Sequence, residues 1–315
     1  PAVAEPVPVV PVAVGTPMFV LQRGHTGSFR RPRFSPDGHF IVTASDDRTA
    51  KVWDAHTGIL RAPLEEHGHW VTGARWWRAG GGWEAHTGIL VAALEGHVHW
   101  VNVASFSPDG HSIVTGSRDR TARVWDAQTG AVRATLGGHK NGVLDASFSP
   151  DGSAIVTASG DGTARVWDAQ TGALRTSLEG HAHAVYAASF SPDGLGIVTF
   201  SHDRTAKVWD PRTGGLRATL EGHTDAIRAA SFSPDGRSIV TASMDGTARV
   251  WDAWTGALRA TLAGNAAVVF TASFSPDGRS IVTASGDTDF ESYLPGTARV
   301  WDAQTGALLA SLEGH

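Results

Sequence analysis

The chain has 315 residues, of which 41% are hydrophobic and 18% charged, so it can bury a substantial core in one to three domains. Its 26 Lys and Arg residues against 31 Asp and Glu residues give a net charge of −5, which argues against a general nucleic-acid or membrane binder. The absence of cysteine excludes disulfides and thiolate metal sites, and we expect a reducing, cytoplasmic location.

The first segment, residues 1–17, is apolar but contains five prolines and neither lysine nor arginine. A secretion signal needs a basic start and an unbroken apolar centre, and prolines at this density break a membrane helix. We therefore predict an extended, polyproline-like linker. The chain lacks an initiator methionine, so we expect it to be an excised or processed part of a longer protein.

From residue 18 onward the sequence repeats. The segment TARVWDAQTGA occurs at 121–131, 163–173 and 297–307. Seven units are present, and a step of 42 residues is the length expected of four short strands with tight turns. The tryptophans that mark the units lie 30, 42, 42, 42, 42 and 50 residues apart, at Trp53, Trp83, Trp125, Trp167, Trp209, Trp251 and Trp301.

One intact unit, residues 139–180, shows the predicted strands. They are separated by an S-P-D-G turn, a two-residue Asp161-Gly162 turn and an AQTG turn. The strands are rich in β-branched residues, and no stretch of the chain shows sustained helical periodicity, so we predict an all-β fold. The four predicted strands are VLDASF, AIVTAS, TARVWD and ALRTSL.

The second unit is shortened. The spacing from His67 to Trp83 is 16 residues, against 28 in intact units, and the missing residues are those that would supply the S-P-D-G turn and the second strand. We predict that ARWWRAGGG (74–82) is a first strand running almost directly into a stunted third strand, in a unit of three strands or fewer. Trp76 and Trp77 then either fill the lost volume, which we favour, or form an aromatic binding platform.

Five units carry a histidine, a threonine 18 residues later, an aspartate four residues after that and a tryptophan six residues further on. Histidine, hydroxyl and carboxylate together suggest a hydrolase triad, but an enzyme needs one such constellation and not five. As a structural network, the indole N–H would donate to the hydroxyl, the hydroxyl to the imidazole, and the other ring nitrogen to the carboxylate. The sets are His25-Thr43-Asp47-Trp53, His97-Thr115-Asp119-Trp125, His139-Thr157-Asp161-Trp167, His181-Thr199-Asp203-Trp209 and His223-Thr241-Asp245-Trp251.

The recurring Gly-His, S-P-D-G and Trp-Asp marks together resemble the WD40 family of β-propellers, over residues 18–315. The resemblance implies one domain of seven blades closed into a ring, each with strands a to d, strand a lining a central channel and strand d outermost. Blade 2 would lack strand b. The resemblance also implies that the His–Thr–Asp–Trp set is a buried tetrad tying the d–a loop to strands b and c. The near-identical Ala- and Arg-rich copies resemble bacterial WD arrays, which often follow a kinase or signalling NTPase domain.

The last unit departs from the others in two ways. Asn265 stands where the histidine is expected, so Thr283, Asp287 and Trp301 cannot bond in the same way. Eight extra residues, TDFESYLP (288–295), interrupt the hairpin between strands b and c of blade 7. By family geometry this turn lies on the face commonly used for partners. The segment is therefore either a partner-binding element or a tolerated surface insertion.

In this family the partner-contacting positions lie three and five residues after the Gly-His histidine and one residue before the tetrad aspartate. These positions vary between units here while the scaffold hardly changes, and aromatic residues and arginine dominate interface energetics. Alternatively, these variable loop residues drift freely. A patch of Trp70, Trp100, Arg118 and Arg30 is expected on neighbouring blades. The predicted partner-binding residues are Arg30, Trp70, Trp100, Asn102, Arg118, Tyr186, His202, Arg228, Met244 and Phe270.

We expect a non-catalytic interaction scaffold or sensor that presents this loop-rich face to a protein or peptide, needs no cofactor and belongs to a larger bacterial regulatory protein. The alternatives are an enzyme with a site in the central channel and a nucleic-acid-binding propeller using Arg30, Arg118 and Arg228. Neither GxxxxGK[ST] nor an HRD-like loop occurs. The three GHxH motifs predict no metal site, because each first histidine is a tetrad position and the second ones lie on separate blades.

Overall fold

The structure is a computed structural model, and before residue 97 it describes only the backbone of five strands. The linker 1–17, the tryptophans of the shortened unit and the insertion 288–295 lie outside the described residues, and what we expect of them stays a prediction. The residues described in full are 97–126, 129, 131–264, 268–286 and 297–312.

All regular structure in the described residues is β-strand, arranged in six sheets. The first sheet contains β1 (Phe29–Phe34), β2 (Phe40–Ser45), β3 (Ala50–Asp54) and β4 (Leu60–Leu64). The second contains β5 (Ala74–Arg75), β6 (Val101–Phe106), β7 (Ser112–Ser117), β8 (Ala122–Asp126) and β9 (Val132–Leu136). The third contains β10 (Val143–Phe148), β11 (Ala154–Ser159), β12 (Thr163–Asp168) and β13 (Leu174–Glu179), and the fourth β14 (Val185–Phe190), β15 (Ile197–Ser201), β16 (Ala206–Trp209) and β17 (Leu216–Leu220). The fifth contains β18 (Ile227–Phe232), β19 (Ser238–Ser243), β20 (Ala248–Asp252) and β21 (Leu258–Leu262), and the sixth β22 (Val268–Phe274), β23 (Ser280–Gly286), β24 (Thr297–Asp302) and β25 (Leu308–Leu312).

The third sheet shows how one intact unit folds. Its strands pair antiparallel in chain order, with Ile155 opposite Trp167, and such β-branched and aromatic residues pack well on a pleated surface. The S-P-D-G turn closes through a 2.9 Å hydrogen bond from the Gly152 N–H to the Ser149 carbonyl. Gly152 has a φ of 73°, which glycine adopts without a Cβ clash. The predictions of an all-β fold and of four antiparallel strands per intact unit are confirmed.

The shortened unit contributes one described strand. β5 lies where we predicted its first strand, and it pairs parallel with β6 through Ala74 opposite Ala104. It also contacts β1 and β2 of the first sheet. Within the described residues β5 therefore extends the second sheet to five strands and starts no sheet of its own. The role of Trp76 and Trp77 stays a prediction because both lie outside the description.

Apolar side chains fill the space between consecutive sheets. Val156, Val166 and Leu178 of the third sheet pack against Ile197 and Trp209 of the fourth, and all five side chains are buried. Burying each side chain of this kind contributes about 1.5–3 kcal/mol. Equivalent clusters form at each junction from the second sheet to the sixth. The 42-residue spacing of the sequence thus becomes a regular stacking of sheets.

The far face of the sixth sheet is more open. Val282 and Leu312 are 40% and 47% exposed, whereas Val240 and Leu262, at the same positions in the fifth sheet, are both 0% exposed. The structure describes no side chains of the first sheet, so contact between the sixth sheet and the first stays a prediction. The six sheets form a consecutive array, and the closure of seven blades into a ring stays a prediction.

Candidate partner-binding face

The structure brings together the His–Thr–Asp–Trp sets of the second to fifth sheets. In the third sheet, the Trp167 Nε1–H donates to Thr157 Oγ1 at 2.8 Å, His139 Nε2 lies 2.8 Å from the same oxygen, and His139 Nδ1 lies 3.0 Å from Asp161 Oδ2. The same three contacts measure 2.7–2.8 Å in His97-Thr115-Asp119-Trp125, His181-Thr199-Asp203-Trp209 and His223-Thr241-Asp245-Trp251. The set His25-Thr43-Asp47-Trp53 lies where no side chains are described.

Burial and hydrogen bonding favour a neutral imidazole and an ionised carboxylate in these sets. Burial lowers the pKa of His139, and the hydrogen bond to Asp161 offsets this only in part. Burial alone would raise the pKa of the Asp161 carboxyl, but hydrogen bonds from Thr163, the Lys140 backbone N–H and His139 outweigh it and lower that pKa to about 2. The neutral ring therefore donates from Nδ1–H to Asp161 and accepts the Thr157 hydroxyl at Nε2. Both ring nitrogens are thus engaged within the set.

Sequence reasoning missed two further members of each set. Thr163 Oγ1 donates to Asp161 Oδ1 at 2.7 Å, and the Asp161 N–H donates to Ser159 Oγ at 3.1 Å. Ser159 Oγ donates to the Asn141 carbonyl at 3.1 Å, and the Lys140 N–H donates to Asp161 Oδ2 at 2.8 Å. These bonds hold the d–a loop against the b–c turn of the same unit. The signal that could have revealed them is the recurring S-x-D-x-T pattern, in which the outer residues are Ser117 and Thr121, Ser159 and Thr163, Ser201 and Thr205, and Ser243 and Thr247.

The sixth sheet keeps part of this arrangement. The Trp301 Nε1–H donates to Thr283 Oγ1 at 2.9 Å, as in the intact units. Asn265, which replaces the histidine, and Asp287, which would be the carboxylate, both lie outside the described residues. The predicted difference is therefore wrong for the bond between Trp301 and Thr283, which does not need the histidine, and it stays a prediction for Asn265 and Asp287.

Two predicted partner residues, Trp100 and Arg118, contact each other on the second sheet. Cζ of Arg118 lies 4.3 Å from the centroid of the Trp100 ring, within the range of a cation–π interaction. The Arg118 N–H also donates to the Trp100 carbonyl at 2.8 Å. Arg118 is exposed and Trp100 half-buried. Asn102, by contrast, donates from Nδ2 to the Val143 carbonyl at 2.7 Å, so it also joins the second sheet to the third.

A second aromatic group lies on the fourth sheet. Tyr186 and His202, both predicted partner residues, pack edge to face with their ring centroids 6.0 Å apart. The ring of His183 lies 6.3 Å from that of His202. All three side chains are exposed. His183 is the second histidine of a GHxH motif. It lies on the d–a loop and His202 on the b–c turn, and nothing in the sequence indicated that the two rings would be in contact.

The other predicted partner residues are spread more widely. Arg228 is exposed on the fifth sheet, and Met244 on the same sheet is half-buried, as is Phe270 on the sixth. Arg30 and Trp70 lie where no side chains are described, so the patch that would join Trp70 to Trp100 stays a prediction.

Within the part of the chain that the structure describes, the opposite end of the sheets carries grooves that the sequence did not predict, and two of them are well defined. They have volumes of about 480 and 580 Å³ and lie between neighbouring sheets, along the S-P-D-G turns. Arg133 lines the first and donates to Asp126, and Arg175 lines the second and donates to Asp168 at 2.7 Å. The hydrogen bond from Arg175 lowers the pKa of the Asp168 carboxyl. The two arginines are paired with aspartates, and the same groove recurs between successive sheets. Neither groove therefore stands out as a binding site.

Metal-ligand clusters and membrane-spanning helices are both absent from the described residues. In that part of the chain no three His, Asp or Glu side chains gather closely enough to hold a metal ion, so the GHxH histidines do not converge there. The described portion also contains no helix with the length and apolar character needed to span a bilayer.

Six segments of the chain match the model of one protein family, described as WD domain, G-beta repeat. The matches cover most of the chain, and six of the seven marker tryptophans lie inside them. The shortened unit, with Trp83, falls in the unmatched stretch between the first two segments. The matched residues are 15–54, 88–126, 130–168, 172–210, 214–252 and 256–302.

Proposed function

Because this chain belongs to the WD40 family, whose members are typically non-catalytic interaction scaffolds, we propose that it binds a protein or peptide partner through its loop-rich face. This face is the end of the sheets that carries the d–a loops and the b–c turns. The observation that carries the proposal is the exposed Arg118 guanidinium against Trp100 at 4.3 Å, on loops held in place by hydrogen bonds. Arginine and tryptophan are the residue types that most often dominate binding energy.

The tetrads support a bracing role. Their histidine and aspartate side chains are at most 9% exposed, so substrate has little access to them. Both ring nitrogens and the threonine hydroxyl are used within each set. A network that is fully satisfied and repeated sheet by sheet makes the loops rigid, which reduces the ordering cost of binding. Nothing in this arrangement favours a reaction.

The loop-rich face can be tested with a paired set of variants. The chain is immobilised and incubated with extract of its source cells, and the captured proteins are quantified by mass spectrometry. Trp100→Ala combined with Arg118→Ala should lose specific partners, because it removes the exposed cation–aromatic pair. Arg237→Ala, an exposed residue beside an S-P-D-G turn at the opposite end, should retain them. Equal capture by all three proteins, with matching melting curves, would overturn the proposal.

For the architecture, we propose seven blades within residues 18–315, with blade 2 truncated, an insertion in blade 7 and residues 1–17 as a linker. The first sheet would cover the open face of the sixth. In support, Ile41 pairs with Trp53 in the same register as Ile155 with Trp167. In the later sheets the isoleucine and tryptophan at these positions pack against the preceding sheet, so the first sheet has the residues needed to cover the sixth. Leaving Leu312 in water would forfeit apolar burial.

The cellular setting is also a proposal. We infer a cytoplasmic module of a larger bacterial regulatory protein, which acts on a catalytic domain outside this chain and needs no cofactor. The absence of cysteine and the near-identical repeats support this setting. Expression of the longer gene product, with and without these residues, would test it. A catalytic activity that is unchanged by removal of the array would contradict a regulatory role.

A further inference from the structure

Four exposed cationic side chains lie on the loop-rich face of the second, third and fourth sheets: Arg118, Arg120, Lys140 and Arg204. The carboxylates on the same turns are not surface charges, because the side chains of Asp119, Asp161 and Asp203 are only 5%, 6% and 9% exposed and bonded to histidines. Among the described residues, Glu179 is an exposed carboxylate at this end of the third sheet, on its outermost strand, and Asp225 is exposed on the adjoining fifth sheet. The four cations outnumber these carboxylates, so this part of the face is locally cationic in a chain with a net charge of −5.

The loops that carry these charges are contiguous. A Cβ added at Gly142 would lie 3.1 Å from the Arg118 Cα, so the d–a loop of the third sheet touches the b–c turn of the second. A Cβ at Gly162 would lie 3.5 Å from the His183 carbonyl, so the next turn touches the d–a loop of the fourth sheet. The ring of His183 then reaches that of His202 at 6.3 Å. One continuous surface thus crosses three sheets.

The middle of this surface is built of glycine. Gly142, Gly160 and Gly162 of the third sheet stand where the second sheet has Trp100, Arg118 and Arg120. The fourth sheet has Ala184, His202 and Arg204 at those positions. We call the surface with this glycine floor and its two flanks the glycine saddle. Gly142 is buried against Arg118 and the Asn141 side chain lies against Gly160, so the backbone of a ligand can approach most closely at the half-buried Gly162.

Backbone conformation points the same way. Arg120 and Arg204 have φ angles of 73° and 70°, where Gly162 and Gly246 have 84° and 80° at the equivalent turn position. A residue with a Cβ is strained in this left-handed region relative to its usual conformations. The b–c turns at Arg120 and Arg204 adopt this conformation nonetheless, and each places a guanidinium on one flank of the glycine saddle.

We propose that the glycine saddle binds an extended acidic peptide, with carboxylates toward Arg118 and Arg120 on one flank and toward Arg204 on the other. The inference rests on the proposed function of the loop-rich face and specifies its ligand. A peptide fits better than a nucleic acid because Arg118 already covers the Trp100 ring at 4.3 Å, where a base would need to stack.

The test uses a phage-displayed random-peptide library, panned on the immobilised chain. The enriched peptides are then measured by fluorescence anisotropy, beside a single-stranded oligothymidylate. Enriched sequences should be rich in Asp and Glu, and their affinity should fall steeply between roughly 0.1 M and roughly 1 M salt. Arg118→Glu combined with Arg204→Glu should weaken binding by about tenfold or more, because both flanks then repel the peptide.

The matched control is Arg237→Glu combined with Arg279→Glu, which makes the same charge change on exposed residues beside S-P-D-G turns and should leave affinity unchanged. Enrichment of neutral or basic peptides that still depend on Trp100 would overturn the acidic specificity and leave the proposed function standing. Tighter binding of the oligothymidylate than of any peptide would overturn the inference in favour of nucleic acid. Enrichment that neither charge reversal nor Trp100→Ala affects would overturn the inference and count against the loop-rich face as well.

Discussion

At the scale of single residues, the partners of a side chain decide its role more than its type does. His181 and His183 belong to one GHxH motif, yet His181 is bonded to Asp203 and Thr199, whereas His183 is exposed beside His202. The spacing of the four-residue set could be read from the sequence because the set repeats. The contact between His183 and His202 could not, because it depends on how a loop and a turn meet in space.

Loss of a tetrad carboxylate should destabilise the fold. Asp161→Ala removes the carboxylate that accepts hydrogen bonds from His139, Thr163 and the Lys140 N–H, so these three hydrogen bonds are lost. We expect the free energy of unfolding to fall by about 2–3 kcal/mol, measured by urea denaturation. Glu221→Ala, which changes an exposed carboxylate at the same end of the sheets, should change it by less than about 0.5 kcal/mol. Equal effects of the two substitutions would show that the network does not brace the fold.

The tetrads also predict a dependence on pH. Burial lowers the pKa of His139, His181 and His223 below 6.5, so at more acidic pH the unfolded chain binds more protons than the folded chain. Stability should therefore decline as the pH falls below 6.5. Asp161 and Asp203, whose pKa values are lowered from 3.8 to about 2, add a second loss between those two values.

The measurement is the free energy of unfolding in urea at a series of pH values. His139→Gln combined with His223→Gln should make the first decline shallower, because fewer imidazoles then titrate differently in the two states. A stability that rises as the pH falls from about 7 to about 5 would contradict the assignment of neutral, buried histidines.

At the scale of elements, the b–c turns have two roles, one in the tetrads and one at the surface. Their aspartates face inward to the tetrads, and the residues on either side of them face the surface. The turns at Arg120 and Arg204 keep a non-glycine residue at positive φ, whereas those at Gly162 and Gly246 do not. The sequence showed this variation between units, but only the backbone angles show that arginine is held in an unfavourable conformation there.

Replacing one such arginine should separate stability from binding. Arg204→Gly relieves the left-handed conformation and should raise the free energy of unfolding by up to about 1 kcal/mol. The same change removes a cation from the glycine saddle and should weaken acidic peptides by a few-fold. Thermal melting and anisotropy on the same preparation test both effects. A less stable variant, or one with unchanged affinity, would contradict this account of the turn.

The strands themselves were the most predictable elements. The β-branched residues and the S-P-D-G and Asp-Gly turns define β10 to β13 within one or two residues of the predicted segments. The pairing of β5 was not predictable. A strand of two residues carries no periodicity, and its parallel pairing with β6 depends on tertiary contacts between units. Sequence reasoning therefore worked for the repeated unit and failed where the repeat was broken.

At the scale of the whole molecule, the stacking of sheets leaves one apolar face to be covered. Leu312 is 47% exposed, although leucine at the same position in each preceding sheet from the second onward is buried. The repeat predicted seven units, and the described residues show six sheets and one extra strand. Counting units in a sequence does not determine closure, because closure depends on the angle between successive sheets.

A pair of leucine substitutions tests closure in solution. Leu262→Ala opens a cavity between the fifth and sixth sheets and should cost about 2–5 kcal/mol. If the first sheet covers the sixth, as we propose, Leu312→Ala should cost a similar amount. Urea denaturation of the two variants compares them directly. A cost below about 1 kcal/mol for Leu312→Ala would mean that the face remains open and that no ring forms.

The most direct test of the account is a footprint of the bound partner by hydrogen–deuterium exchange, followed by mass spectrometry. The chain is measured alone and with the partner, or with the tightest peptide, that the wild-type protein selects. We predict added protection at the d–a loops and b–c turns around residues 97–102, 118–120, 139–144 and 181–186, with no change at the S-P-D-G turns. Protection confined to the S-P-D-G turns or to the outermost strands would contradict the claim that this array binds through its loop-rich face.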